Sequence, residues 1–66
     1  MTILVNGESR QVADGTTVAQ LVADLKLGAR PLAVEVNLEL VPRSRYAEHQ
    51  LSEGDRLEIV TLVGGG

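Results

Sequence analysis

The group with distinctive chemistry in this 66-residue sequence lies at its far end, where Leu62-Val63 runs into Gly64, Gly65 and Gly66. Taken as a terminus, Gly66 presents an α-carboxylate, ionised at neutral pH and unreactive toward nucleophiles as it stands. Conversion to an acyl-adenylate would supply a good leaving group, and a sulfur nucleophile could then produce a thiocarboxylate. Glycines suit that use. Without side chains, Gly64 and Gly65 can thread a narrow channel in a partner enzyme, and three residues carry a reactive end at most ~10 Å. Short glycine-rich ends also occur as mere frayed termini, so the tail gains meaning only from what holds it. The chain has no cysteine nucleophile, no Ser-His-acid set and no G-x-x-x-x-G-K-[ST] phosphate loop. The activating machinery must therefore lie on another protein, which would consume the ATP. No bound cofactor and no metal is expected here.

Other residue types narrow the field further. His49 is the only histidine, and a metal ligand needs companions, so a solvated loop histidine is the expectation. Arg43 and Arg45 flank a turn; they are either solvated or able to dock an acidic patch. Tyr46, the only aromatic, is expected to pack over the sheet edge rather than stack a base. Lys26 is the only lysine, which disfavours isopeptide-linked chains of this protein itself. A net charge of −3 with six Lys plus Arg lacks the basic stripe of a nucleic-acid module. No apolar run approaches a bilayer span, and MTILVNG lacks a charged n-region and cleavage site, so the cytoplasm is the expected compartment.

The tail must be presented by something rigid. Sixty-six residues allow one core, and neither disulfides nor metal can staple it. What remains is aliphatic: nine Val, ten Leu and two Ile, with no Phe or Trp. At about 25 cal/mol per Å² of buried apolar surface the margin over ordering entropy is thin, which favours a compact, regular fold. Thr2 to Val5 reads as a strand, Asn6-Gly7 as a two-residue hairpin turn, and Glu8 to Val12 as a polar returning strand suited to an edge. After the Asp14-Gly15 turn, Thr17-Val18-Ala19-Gln20 has the form of a capping box. Val18, Leu21, Val22 and Leu25 then form one helical stripe, with Gly28 as C-cap and Pro31 barring continuation. Leu32, Val34 and Val36 alternate as a half-buried strand. Asn37 and Leu38 turn into a short strand from Glu39 to Val41, ended by Pro42. Ser44 is expected to cap a single helical turn through Tyr46-Ala47-Glu48, closing near Leu51, and Arg56 to Val63 is the last strand.

The order β-β-α-β-β-short helix-β predicts an α+β domain: one main helix on one face of a mixed five-stranded sheet. The apolar first and last strands should lie centrally and their hairpin partners at the edges. This is a β-grasp arrangement, over residues 1–63, with residues 64–66 as a flexible glycine tail. If Leu57 and Ile59 face the helix, Val60 and Leu62 face the other side, which Leu4 shares by parity. Leu4, Val60 and Leu62 are thus either a partner-docking surface beside the tail or side chains covered by their neighbours.

Several segments together carry a more specific resemblance. These are I-x-V-N-G at Ile3 to Gly7, T-V-x-x-L at Thr17 to Leu21, A-V-E-V-N at Ala33 to Asn37 and V-P-R-S at Val41 to Ser44. E-G-D-x-L-E-I-V follows at Glu53 to Val60, before the closing V-G-G-G. Over essentially its whole length the chain resembles the thiamin-biosynthesis sulfur carrier proteins, which are ubiquitin-like and end in diglycine. The triple glycine is a small departure, since the family needs only Gly65 and Gly66. The resemblance implies that a ubiquitin-activating-like enzyme adenylates Gly66, and that sulfur from cysteine arrives through a desulfurase. The thiocarboxylate would then donate that sulfur to thiazole synthase. The chain would be a co-substrate rather than an enzyme, monomeric when free. The alternatives are the small sulfur-carrier subunit of molybdopterin synthase, which tends to be longer and richer in aromatics, and a ubiquitin-like protein modifier.

Overall fold

The computed structural model describes residues 1–27 and 30–62. It contains β1 (Thr2–Val5), β2 (Glu8–Gln11), α1 (Val18–Asp24), β3 (Leu32–Val36), β4 (Glu39–Val41), a 3-10 turn (Arg43–Arg45) and β5 (Arg56–Thr61). The five strands form one sheet in the order β2-β1-β5-β3-β4. As expected from composition, the hairpin partners take the edges and the last strand takes the centre. β5 runs parallel to β1 and antiparallel to β3.

Both hairpins close through two-residue turns whose central residues all have positive φ. Asn6 and Gly7 adopt φ 51° and 83°, which asparagine and glycine tolerate. In the second turn Asn37 has φ 52° but Leu38, a γ-branched residue, is held at 72° and is 88% exposed. That position carries strain without burial to offset it.

The helix begins where the capping box places it. The Gln20 N–H donates to Thr17 Oγ1 (3.2 Å), and the Thr17 N–H donates to Gln20 Oε1 (2.9 Å). The preceding orphan donors are met by the loop before β5: the Val18 N–H by the His49 carbonyl at 2.9 Å and the Ala19 N–H by the Tyr46 carbonyl at 3.0 Å. A seven-residue helix would not persist alone, so these ties and its buried stripe hold it. It is shorter than periodicity implied. It ends at Leu25 as C-cap, followed by Lys26 at φ 54°, and the expected cap Gly28 lies outside the described residues. The turn after β4 also differs. Pro42, not Ser44, stands at its start and no side chain caps it, because the Arg45 N–H bonds the Pro42 carbonyl directly (2.8 Å).

Between helix and sheet lies one aliphatic core. Ile3 and Val5 of β1, Val34 and Val36 of β3, Val41 of β4, and Leu57 and Ile59 of β5 meet Val18 and Leu21 of α1. Tyr46 and Leu51 close one end, so the lone tyrosine belongs to the core rather than to an edge. Strict alternation leaves the opposite face of the sheet without a covering layer among the described residues.

The helix start is the most local of these devices, and it is testable by itself. Replacing Thr17 with Ala removes one half of the capping box and should cost about 1 kcal/mol. For a domain of this size that lowers the thermal midpoint by about 5 °C, read by circular dichroism.

Candidate functional site

The strand leading to the glycines is paired on both sides, and unequally. Toward β3, pairing runs from Val36↔Leu57 through Leu32↔Thr61, and the Leu62 N–H still reaches the Pro31 carbonyl at 2.8 Å. Toward β1, the backbone ladder stops at Val5↔Leu57. One further tie follows, made by a side chain. The Ile59 N–H donates to Asn6 Oδ1 (2.8 Å), and Asn6 Nδ2 donates to the Ile59 carbonyl (3.1 Å).

The start of β5 is fixed in a related way by the other hairpin turn. The Arg56 N–H donates to Asn37 Oδ1 (3.0 Å), and the Asn37 N–H to the Arg56 carbonyl (2.7 Å). Asn37 Nδ2 in turn donates to Asp55 Oδ1 (3.0 Å), whose other oxygen accepts the Ser52 N–H (2.8 Å). Two turn asparagines thus bracket the strand that leads to the glycines. The sequence marks both as turn residues, and nothing local in it indicates where their side chains reach.

Val63 and Gly64 to Gly66, the predicted tail, lie outside the described residues. Of the proposed docking residues, Val60 and Leu62 are half exposed on the open face, at 54% and 52%. Leu4 shares that face but sits opposite Arg56, four residues along β5 from Val60 and so about 13 Å away. Val60 instead pairs with Ala33. The apolar ground next to the end of β5 is therefore Val60, Leu62 and Ala33, with Leu40, 66% exposed, one strand further out.

Between Leu4 and Val60 stands an acidic pair. Glu58 of β5 lies directly opposite Glu35 of β3, so the two Cβ atoms are roughly 5 Å apart. Among the described residues neither forms an ion pair. The pairs present are the N-terminal amine with Asp14 (3.6 Å) and Arg45 with Glu48 (3.6 Å). The Arg45–Glu48 pair is solvent-exposed and adds little.

No catalytic set is assembled among the described residues. His49, Ser52 and Asp55 line one shallow groove of about 690 Å³ with Arg45 and Glu39. No hydrogen bond joins the Ser52 hydroxyl to the imidazole or the imidazole to Asp55, whose carboxylate is already occupied. No group of three or more potential ligands could hold a metal ion among the described residues. Among the described residues no helix is long and apolar enough to cross a membrane. The arrangement offers a paired central strand and an open face with an apolar part.

Comparison with known proteins gives a consistent result. The ThiS family model matches residues 3–66. The chain is 33% identical over 66 residues to the sulfur carrier protein ThiS of Escherichia coli (strain K12), covering all of both chains. It is 46% identical over 66 residues to thiazole synthase of Paramagnetospirillum magneticum, and spans 20% of the length of that protein. The crystal structure of thiamine biosynthesis protein ThiS from Geobacter metallireducens superposes with a TM-score of 0.85 at 32% identity over the whole of both chains.

The opposed carboxylates predict a variant more stable than the parent. Glu58→Gln should raise stability by about 0.2–1 kcal/mol. The gain should shrink in 1 M salt, where surface charges are screened within ~3 Å. Chemical denaturation at two salt concentrations reads both.

Proposed function

The chain belongs to the ThiS family, and on that footing we propose that it is a sulfur carrier in the biosynthesis of the thiazole half of thiamin, working through the carboxylate of Gly66 as a co-substrate of other enzymes. An ATP-dependent, ubiquitin-activating-like partner first activates that carboxylate. A carboxylate oxygen attacks the α-phosphorus, pyrophosphate leaves, and an acyl-adenylate results. The outer sulfur of a persulfide, formed from cysteine by a desulfurase, then displaces AMP to give an acyl disulfide. A second thiol attacks the partner's sulfur, releasing the thiocarboxylate and leaving a disulfide behind. Thiazole synthase takes that sulfur. The compartment in which these partners meet is the cytoplasm.

The observation that carries this reading is the placement of β5. It is the central strand, paired with β3 along its length, and it runs out five residues before Gly66 on a chain without a cysteine. A domain built this way is a handle for its end. Gly64 and Gly65 add reach and no bulk, so a partner can enclose them closely. The half-exposed Val60 and Leu62 supply an apolar foothold where that partner meets the sheet.

Thiazole synthase is the favoured recipient over a molybdopterin pathway. A thiazole synthase more than two-fifths identical over this stretch carries such a domain within its own chain. The single aromatic, Tyr46, also departs from the aromatic-rich molybdopterin subunits.

Co-expression with the adenylating enzyme and sulfur donor of the same organism, followed by intact mass analysis, tests the proposal. The expected product is one species heavier by the exchange of one oxygen for one sulfur. A ladder of conjugates would mean a protein modifier instead. Deleting Gly66, or adding one residue after it, should abolish the mass change. A second variant examines the foothold. Val60→Asp should leave the melting midpoint within a few degrees of wild type, since Val60 is half exposed. It should nonetheless weaken partner binding, measured by titration calorimetry. Loss of the fold in that variant would place Val60 in the core.

A further inference from the structure

The turn between β1 and β2 needs only residues that accept positive φ, and at φ 51° Asn6 could be replaced by glycine without strain. Asparagine contributes something more. A carboxamide has the donor and acceptor of a peptide group, and Asn6 uses it as one. The parallel ladder proceeds from Leu4 N–H to the Asp55 carbonyl (2.9 Å) to Asn6 N–H to the Leu57 carbonyl (2.9 Å). The next rung falls at Ile59, where the main chain of β1 has already turned away. There the Asn6 side chain supplies both partners, at 2.8 and 3.1 Å.

Beyond that rung the two sides of β5 differ. The Leu62 N–H bonds Pro31, so by the alternation of an antiparallel ladder Val60 and Leu62 direct their backbone groups to β3, and Ile59 and Thr61 direct theirs to the β1 side. β1 provides nothing opposite Thr61. Among the described residues Asn6 therefore makes the last tie on that side, three residues before Leu62. Up to Leu62 the chain is held by β3, by the Pro31 carbonyl and by this one carboxamide. The Ile59 end of the pair is buried while Asn6 itself is exposed, so the bonds are shielded from water on one side, which strengthens the constraint.

We propose that Asn6 is a positioning residue for the transfer reaction: its carboxamide sets the direction in which the chain leaves β5, and hence the pose in which Gly66 meets the adenylating site. This rests on the sulfur-carrier reading above. Adenylation needs the carboxylate oxygen aligned with a phosphorus, and a displacement of about 1 Å in such an alignment can cost two orders of magnitude in rate. Docking is a separate matter. Val60 and Leu62 lie on the open face and do not depend on the Asn6 bonds, so a misaimed tail should still dock. The loss falls on kcat and spares KM.

Asn37 provides a matched control. It occupies the equivalent turn position at φ 52°, and its side chain also bonds β5, but at Arg56, the end remote from the tail. Asn6→Gly and Asn37→Gly each keep a turn-compatible residue and each remove side-chain ties to the same strand. Both should lower the melting midpoint to a similar extent. Adenylation is then followed by pyrophosphate release, using the adenylating enzyme of the same organism well below either midpoint. Asn6→Gly should lose tenfold or more in kcat with KM within twofold of wild type, and Asn37→Gly should match wild type. Amide exchange should quicken at Ile59 in Asn6→Gly alone. Unchanged kcat in Asn6→Gly overturns the proposal, as does an equal loss in Asn37→Gly, which would trace the effect to stability. A wild-type chain that is never adenylated would instead sink the carrier reading and this inference with it.

Discussion

Two β-hairpins that do not pair with each other are joined by a single strand, and every other feature depends on that junction. In the order β2-β1-β5-β3-β4, removal of β5 leaves two isolated hairpins, neither of which is stable in water. The strand that assembles the sheet is thus the strand that leads to the glycines. Leu57 and Ile59 place its inward side chains in the core, and pairing on both flanks uses most of its backbone groups. A force applied to the tail is transmitted to the central strand of the sheet, and holding that strand still is the task of the rest.

The means are modest because the chain is small. It has no disulfide, and among the described residues no metal site. The core is almost wholly aliphatic, with Tyr46 its single aromatic. A seven-residue helix covers it, and that helix depends on its neighbours for its first hydrogen bonds: carbonyls of Tyr46 and His49 receive the Ala19 and Val18 N–H groups. Helix and loop therefore order each other. None of the buried side-chain polar atoms among the described residues lacks a partner, so little of the small stabilising surplus is wasted.

Much of this organisation is legible in the sequence, because its signals are local. Asn6-Gly7 can hardly be anything but a hairpin turn, Thr17 and Gln20 form the capping box their spacing implies, and the alternation at Leu32 to Val36 identifies a half-buried strand. The failures are equally physical. Gly28 looked like the helix terminus, yet the chain turns out of the helix after Leu25 with Lys26 at positive φ, a cost borne by tertiary packing rather than visible in composition. Ser44 is a good capping residue in a place where a proline-led 3-10 turn requires no cap. Parity assigned Leu4, Val60 and Leu62 to one face correctly, but parity says nothing about register. The parallel pairing of Leu4 with Arg56 sets it apart from the other two. The Asn6 and Asn37 bonds to β5 span 53 and 19 residues, and separations of that size leave no trace in any local pattern.

The acidic pair on the open face has one more consequence. A bare sheet face bearing Leu40, Val60 and Leu62 is the kind of surface on which a second sheet can stack at ~10 Å to form a sandwich. If two copies met in that way, Glu35 and Glu58 of each would bring four carboxylates into a layer with little water, where burying a charge is very costly. The same opposition of charge that Glu58→Gln would relieve within one domain would therefore disfavour closing this face on a second copy of itself.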